Sequence, residues 1–402
     1  MAAAHQETTL RPIEQFLQPG VYSTAVALLE IASTMKLTVQ LQVIVPPEEA
    51  ANLLRTMIAF NGSASYAAEV GFKGCAYNQP AIHKLAYSEI RAQFGLAAQA
   101  AVRAISKAVD AFARDKKTPH QFRPLGAICY DERIASFKKD DQVSLWTLGG
   151  RKLFKFVCGD RQRAALAHRK GQMDLAFRKG KFYLLATCDI QEEPLTEIGG
   201  VLGVDMGVVN IATDSDGNNY TSSAVERVRV RNNYNRRRLQ KKWTRSARRR
   251  LKRIAGRESN FRRNENHRIS KELVLRAKGT GRGIALEDLK GIRERTTVRR
   301  KDRNKRLSWS YHQLRAFIEY KARLAGVPVI AVDPRNTSRT CNECGHCDKG
   351  NRKDQESFCC LQCGHSVNAD QNAARNIRDR GSVNIPQMQG VQPLQAAGFS
   401  RR

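Results

Sequence analysis

The chain has 402 residues and a formal net charge of +31 at pH 7, from 69 Lys and Arg against 38 Asp and Glu. This charge argues against an acidic small-molecule enzyme or a neutral secreted binding protein, and it indicates a polyanionic partner, most often nucleic acid. The hydrophobic content of 41% is ordinary for a folded protein, and the length suits two or three folding units.

The sequence contains no signal for a membrane or for secretion. No apolar run approaches the ~18 residues that span a bilayer, and no signal peptide opens the chain. Six of the ten cysteines fall between Cys341 and Cys363, which in a reducing compartment indicates metal binding rather than disulfides. We therefore expect a cytoplasmic protein with no membrane partner.

The first half of the chain changes from a helical to a β pattern. Residues 1–36 are expected to be an N-terminal extension, either a helical addition or an overlong start, and residues 37–46 predict a strand ended by prolines. Apolar residues at three- and four-residue steps in 47–118 predict a helical bundle. Short β-rich runs in 119–198, with a turn at Gly149-Gly150, predict a small barrel that includes the first strand.

Residues 227–278 hold 21 Lys and Arg and only three acids. A charged surface facing solvent is the ordinary explanation for such a run, but this density of like charge would repel itself without a polyanion. We therefore predict that the segment binds the phosphate backbone of a nucleic acid. As a group, the predicted contacts are Arg236, Arg237, Arg238, Lys241, Lys242, Arg248, Arg249 and Arg250.

Two apolar strands in the second half carry acids that are expensive to bury. Asp205 lies at the centre of residues 201–210, and Glu287 follows an apolar run that begins at residue 283. A buried acid is costly unless it is paired or bound to a metal. Gly203 and Gly207 flank the first acid and allow another backbone to approach closely.

Two pairs of cysteines have the spacing of a zinc ribbon. The pairs Cys341-x2-Cys344 and Cys360-x2-Cys363 are separated by 15 residues. Four thiolates predict one closed, structural Zn²⁺ site rather than a catalytic one. The neighbour most able to replace Cys360 is Cys359, and lesser alternatives are Cys347, His346 and His365.

A helix is predicted directly after the cysteines. Residues 368–377, with the sequence Asn-Ala-Asp-Gln-Asn-Ala-Ala-Arg-Asn-Ile, place Asp370 near its start. A carboxylate stabilised by the backbone N–H groups of the first helical turn is the plain structural explanation for this residue.

The order of these motifs resembles the TnpB family of transposon-encoded proteins and its relatives, the compact type V CRISPR effectors. Asp205, Glu287 and Asp370 match the three split motifs of a RuvC domain, and the lead-in Thr337-Ser338-Arg339-Thr340-Cys341 also resembles TnpB. The resemblance is sharp over 199–380, whereas in the first half it concerns the layout of the elements.

This resemblance implies a multidomain α+β fold. A β-barrel wedge domain (37–46 and 119–198) would carry an inserted helical recognition domain (47–118). An RNase H-like (RuvC) α/β nuclease domain (199–338 and 367–380) would carry an inserted zinc ribbon (339–366). Residues 381–402 would form a flexible tail.

The resemblance also implies an activity. Asp205, Glu287 and Asp370 would hold two Mg²⁺ ions, which suit hard oxygen ligands and phosphodiester hydrolysis. The partners would be a guide RNA and a double-stranded DNA target beside a short adjacent motif, with sequence recognised by base pairing. Such a protein would be prokaryotic and associated with the nucleoid when bound to DNA.

Three other functions stay open at this point. A compact type V CRISPR effector would have the same chemistry with a guide from a repeat array. A non-catalytic nucleic-acid-binding regulator would lose no function on substitution of Asp205 by Ala. A DNA-joining transposase would need a nucleophilic Tyr or Ser, and nothing in the context of Tyr311 or Ser308 supports one.

Overall fold

The computed structural model describes residues 34–384 except 208, 290–310 and 355. The chain divides into two compact units, residues 1–191 and residues 192–402. The predicted extension up to residue 33, the tail from residue 385 onward and Ser308 lie outside the described residues. Within the described ranges, no helix is long and apolar enough to cross a membrane.

The first unit contains a seven-stranded antiparallel sheet. Its strands are β1 (Thr34–Ile44), β2 (Ile128–Tyr130), β3 (Ala135–Lys138), β4 (Gln142–Thr147), β5 (Gly150–Val157), β6 (Arg169–Arg178) and β7 (Lys181–Gln191). They lie in the order β2-β6-β7-β1-β5-β4-β3. The first strand is central, so the sheet cannot form until residues far apart in sequence have paired with it.

The two edges of this sheet come close together. The hydroxyl of Tyr130, on β2, donates to the carbonyl of Trp146, on β4, at 2.9 Å. The backbone N–H of Trp146 donates in turn to the carbonyl of Ile134 at 2.8 Å. The sheet is therefore nearly closed, which confirms the predicted barrel-like arrangement. Sequence reasoning missed β3 and β6, the second of which opens with charged residues and a glycine.

Helices pack on this sheet through a shared core. They are α1 (Pro47–Lys73), α2 (Gln79–Phe94), α3 (Ala98–Phe112) and the short α4 (Asp160–Leu166). The first three lie between β1 and β2 in sequence, as predicted, and α1 buries Leu53 and Met57 against the strands. The side chain of Asn52 joins α1 to the β4–β5 turn, because it donates to Thr147 at 2.9 Å and accepts from the N–H of Gly149 at 3.2 Å.

The second unit contains a five-stranded mixed sheet. Its strands are β8 (Gly200–Asp205), β9 (Asn210–Asp214), β10 (Asn219–Thr221), β11 (Arg282–Glu287) and β12 (Val329–Val332). Their spatial order is β10-β9-β8-β11-β12. The pairs β8–β11 and β11–β12 are parallel, whereas β9 pairs antiparallel with both β8 and β10. This is the mixed α/β layout expected of an RNase H-like domain.

Helices cover both faces of this sheet. They are α5 (Ser223–Lys242), α6 (Arg245–Gly279), α7 (Tyr311–Leu324) and α8 (Ala369–Val383). Leu273 of α6 and Ile318 of α7 belong to one core with the strands. Ile377 of α8 packs in a separate core with Val201 and Ala285, on the opposite face. The helix α8 continues three residues into the segment predicted as a tail.

A small two-stranded sheet belongs to the cysteine-rich segment before α8. Its strands are β13 (Ser357–Cys359) and β14 (Ser366–Asn368). Phe358 is fully buried there beside Cys341 and Cys360. So small a core supplies little stability by itself, and a bound metal is the usual supplement in such domains.

Candidate active site and metal centre

Two of the predicted acids lie at the ends of neighbouring parallel strands. Val204 is paired in register with Leu286, and Asp205 and Glu287 each follow one residue later. Because the strands are parallel, both side chains lie at the carboxyl edge of the sheet, where α/β folds bind ligands. The structure thus brings together two acids that are 82 positions apart in the sequence.

The third acid reaches this edge through an unusually close helix. A Cβ on Gly203 would overlap the carbonyl oxygen of Ala374 and the backbone of Arg378, so only glycine allows α8 this close to β8. Asp370, in the first turn of α8, is therefore held beside the end of β8. The close approach predicted for Gly203 is confirmed. At Gly207 the nearest atom is the carbonyl of Asn210, within the same loop.

The environment of Asp205 disfavours its charged form. Its pKa is raised to about 8, first by loss of hydration and then by the negative charges of Glu287 and Asp370. The guanidinium of Arg352 and the backbone N–H of Met206 act in the opposite direction. The three carboxylates therefore interact electrostatically, and together they form a site with excess negative charge.

The other two carboxylates are held by specific donors. Glu287 is 9% exposed and accepts a hydrogen bond from the hydroxyl of Thr337, which partly offsets the rise in its pKa caused by burial. Asp370 is 8% exposed and accepts from the side chain of Asn210 at 2.9 Å and from Arg352 at 3.2 Å. These contacts fix the orientation of both carboxylates.

Three of these supporting residues were missed by sequence reasoning. Arg352 and Thr337 lie outside the segments that carry the three acids, whereas Asn210 ends the segment that carries Asp205, and none of the three side chains is distinctive by itself. Thr337 was noted only as part of a resemblance. No sequence signal identifies such partners, because their role depends on contacts between residues 18 to 160 positions apart.

The four cysteines predicted to bind zinc converge on one point. Their Sγ atoms all lie within 4.8 Å of one another, and the cluster could hold a metal ion. Among the described residues, Asp205, Glu287 and Asp370 do not converge as tightly. The backbone N–H groups of Cys363 and then Gln362 lower the pKa of the Cys360 thiol to about 6, which favours the thiolate that a metal requires.

The two cysteine pairs have the same backbone geometry. In each, the N–H of the glycine after the second cysteine donates to the carbonyl of the first cysteine at 3.0 Å. Gly345 and Gly364 have φ values of 76° and 72°, in the left-handed region where glycine is favoured. Cys360 belongs to the cluster, whereas its neighbour Cys359 does not.

Two buried asparagines join α8 to the cysteine cluster. Asn372 donates to the carbonyl of Thr340 at 2.8 Å and accepts from the N–H of Asn342 at 3.1 Å. Asn376 donates to the carbonyls of Thr337 and Thr340 at 2.8 and 2.7 Å. The helix that carries Asp370 is thereby held to the residues that flank the first cysteine.

The predicted phosphate-binding residues lie on the hairpin formed by α5 and α6. Seven of the eight are exposed: Arg237, Arg238, Lys241, Lys242, Arg248, Arg249 and Arg250. Arg236 differs, because it forms an ion pair with the buried Glu258 at 2.6 Å and fastens α5 to α6. The hairpin itself was not predicted, since the break at Trp243 and Thr244 contains neither Gly nor Pro.

Comparisons with known proteins agree with this architecture. A family described as "Probable transposase" (OrfB_IS605) matches residues 186–290, and one described as "Cas12f1-like, TNB domain" matches residues 311–377. The cryo-EM structure of a Cas12f1-sgRNA-target DNA complex aligns with a TM-score of 0.53 and 16% identity, covering 82% of this chain and 83% of that one. This likeness supports the fold.

Three curated relatives are similar in sequence. CRISPR-associated endodeoxyribonuclease Cas12f1 of Sulfoacidibacillus thermotolerans is 36% identical over 50% of this chain and 50% of its own. Putative RNA-guided DNA endonuclease InsQ of Escherichia coli K12 is 30% identical over 50% and 54%. TnpB-like protein MJ0751 of Methanocaldococcus jannaschii is 30% identical over 46% and 72%. This chain thus spans about half the length of the first two relatives.

Fold and site together define an RNase H-like α/β protein that carries a four-cysteine ribbon. The match to most of MJ0751 and the two matching families establish its family. The chain belongs to the TnpB family, which confirms the resemblance found in the sequence.

Proposed function

We propose that the protein is an RNA-guided DNA endonuclease of the TnpB type, which hydrolyses phosphodiester bonds at Asp205, Glu287 and Asp370. The observation that carries the proposal is the meeting of these acids at one sheet edge, where burial and then the charges of Glu287 and Asp370 raise the pKa of Asp205 to about 8. A cluster of carboxylates with a purely structural role would not be expected to place its negative charges side by side, because each acid would be better stabilised by a cationic partner.

The three carboxylates fit Mg²⁺ as resident ions. All their donor atoms are hard oxygens, and the excess negative charge at Asp205 favours the binding of a cation. When bound, paired ions supply an activated water and stabilise the leaving oxygen. Thr337 orients Glu287, whereas Asn210 and Arg352 orient Asp370.

The basic surfaces fit a guide RNA and a DNA target. With a net charge of +31, the protein can neutralise the phosphates of several strands. In the proposed function the RNA pairs with target DNA beside a short adjacent motif, so that base pairing supplies the sequence specificity. The relatives InsQ, a putative RNA-guided DNA endonuclease, and Cas12f1, a CRISPR-associated endodeoxyribonuclease, support this function.

The cysteine cluster fits one structural Zn²⁺. Four thiolates leave no open coordination position, so the ion would stabilise the ribbon without taking part in the reaction. Because Asn372 and Asn376 bind residues that flank the first cysteine, a folded ribbon would also help to hold α8 and Asp370 in place.

A compact type V CRISPR effector is the second candidate, favoured by the Cas12f1 relative and by the match to a Cas12f1-like domain. The two candidates differ in the source of the guide. A transposon-encoded protein would carry an RNA from the end of its own element, and a CRISPR effector would carry a repeat-spacer RNA.

The test is to express the full chain with its native flanking DNA and to sequence the RNA that co-purifies. A discrete RNA that runs from the 3′ end of the gene into flanking sequence is expected, and target DNA matching it should be cleaved. Asp370→Ala should abolish cleavage, while Asp379→Ala, an exposed acid on the same helix, should not. Heterogeneous RNA with no cleavage would favour the non-catalytic regulator instead.

A further inference from the structure

The tip of the basic hairpin carries an aromatic residue, Trp243, that is not buried in the core. Trp243 ends α5 and Thr244 begins α6, so the indole lies where the two helices meet. Trp243 is 63% exposed. Trp is strongly buried on average, so an exposed Trp at the tip of a hairpin rich in Lys and Arg indicates a binding surface.

The turn itself does not require Trp. The backbone of Trp243 has φ 46° and ψ 19°, the left-handed conformation that helix ends usually give to Gly or Asn. A bulky side chain is unfavourable at this φ. No residue of α5 is buried, so packing of this helix does not explain the indole either.

The charges around the ring select its ligand. Residues 237–253 contain ten Lys and Arg and no acid. The guanidinium of Arg248 lies 5.9 Å from the centroid of the Trp243 ring. About two and a half turns earlier on α5, Tyr234 is 61% exposed, and the guanidinium of Arg238 lies 5.6 Å from the centroid of its ring. Exposed aromatic rings among cations are typical of surfaces that stack bases of a single strand.

We propose that Trp243 stacks on an unpaired base of the RNA that the protein carries, while neighbouring cations bind the adjacent phosphates. The inference rests on the proposed function, in which an RNA guide is the strand bound throughout the life of the protein. The ten positive charges repel one another whenever no polyanion is bound, so a strand that stays on the protein stabilises this surface continuously. A guide RNA meets this condition, and a DNA target does not.

The test measures binding of RNA-free, full-length protein to three fluorescent probes. These are a short single-stranded RNA, a DNA strand of the same sequence, and a blunt-ended duplex of the RNA. Trp243→Ala should weaken binding of the single-stranded RNA by about tenfold, the loss of one stacked base. Trp243→Phe should retain most of the affinity. Binding of the duplex and the slope of affinity against salt should not change, because no phosphate contact is removed.

Two controls separate stacking from loss of structure. Trp243→Gly should keep or raise the unfolding temperature, since glycine suits the left-handed turn, and should still lose RNA affinity. Leu275→Ala removes a side chain that is 56% exposed at the other end of α6 and should bind RNA normally. The RNA should also quench the tryptophan fluorescence of the native protein more than that of Trp243→Phe.

Unchanged RNA affinity of Trp243→Ala would overturn the proposal. So would an equal loss for duplex and single strand, or a larger loss for DNA than for RNA. These outcomes are distinct from failure of the proposed nuclease, because the binding assay involves no cleavage. If Asp370-dependent cleavage is found and Trp243→Ala binds normally, only the stacking site is refuted.

Discussion

The guanidinium of Arg352, in the cysteine-rich segment, lies 3.2 Å from the carboxylate of Asp370, in the first turn of α8. The same guanidinium lowers the pKa of Asp205 against the effects of burial and of the other two acids. A residue of the ribbon is therefore part of the electrostatics of the carboxylate site. This contact connects the ribbon to the candidate carboxylate site independently of any metal held by its cysteines.

Replacing Arg352 by Gln should shift the pH dependence of cleavage. Without the guanidinium the pKa of Asp205 rises further, so the acidic limb of the rate profile should move to higher pH. The measurement is the cleavage rate of the RNA-loaded protein across the pH range. Arg335→Gln is the control, since that side chain is 86% exposed and pairs with Asp333. Identical profiles for the native protein and Arg352→Gln would contradict the prediction.

Asp205 should destabilise the Mg²⁺-free protein as pH rises. Its pKa increases from an ordinary value of 3.8 to about 8 on folding, so the native state binds the proton more tightly than the unfolded chain. Its contribution to stability is full below the unfolded pKa and is lost as pH rises through about 8. Asp205→Asn, which mimics the protonated acid, should therefore unfold at a higher temperature than the native protein at pH ~8, with a smaller difference near pH ~5.

Asp216 provides a control of opposite sign. Arg282, at 2.6 Å, lowers the pKa of this carboxyl, so its stabilising effect is present above the unfolded pKa and is lost as pH falls through the folded one. Asp216→Asn should unfold at a lower temperature than the native protein at neutral pH, and the difference should vanish in acid. If the difference in unfolding temperature from the native protein changed with pH in the same direction for both variants, the raised pKa of Asp205 would be contradicted.

The close contact between β8 and α8 should make Gly203 irreplaceable. Gly203→Ala would press a methyl group into the backbone of Ala374 and Arg378, which cannot rotate away. We expect a loss of about 3 kcal/mol in the free energy of unfolding, at the upper end of overpacking effects, measured by chemical denaturation. Gly199→Ala is the matched control, because a Cβ at that position meets no atom within 4 Å. Similar stabilities for the two variants would refute the argument.

The zinc assignment can be tested with two adjacent thiols. Cys360→Ser removes a member of the four-thiol cluster and should abolish the stoichiometric zinc of the purified protein. Cys359→Ser changes the neighbouring thiol, which lies outside the cluster, and should retain one zinc ion per chain. Metal analysis by mass spectrometry gives the answer. Zinc loss in both variants, or in neither, would mean that the ligand set is different.

The exposed arginines of the hairpin should control the salt dependence of nucleic-acid binding. Replacing Arg248, Arg249 and Arg250 by Gln should weaken binding and reduce the slope of log affinity against log salt by up to about 0.7 per lost contact with a single strand. Arg268→Gln is the control on the same helix, because Glu265 and Glu272 already neutralise that side chain. An unchanged slope in the triple variant would exclude phosphate binding by this surface.

Some features follow from the sequence because they are local or repeat at fixed spacing. The pairs Cys341-x2-Cys344 and Cys360-x2-Cys363 predicted the cluster, since each knuckle is closed by hydrogen bonds within six residues. The strands that end at Asp205 and Glu287 were evident from apolar runs interrupted by costly acids. The positive charge of the hairpin was equally plain from composition.

Other features were decided by the tertiary structure alone. The sequence left Cys359 as an alternative ligand to Cys360, and the geometry of the thiols removed it. Arg352, Thr337 and Asn210 became parts of the site only when the sheet, the ribbon and α8 came together, because hydrogen bonds of about 3 Å join residues distant in the chain. The exposed position of Trp243 could not be predicted either. Its left-handed turn contains neither Gly nor Asn, the residues that usually mark such a helix end.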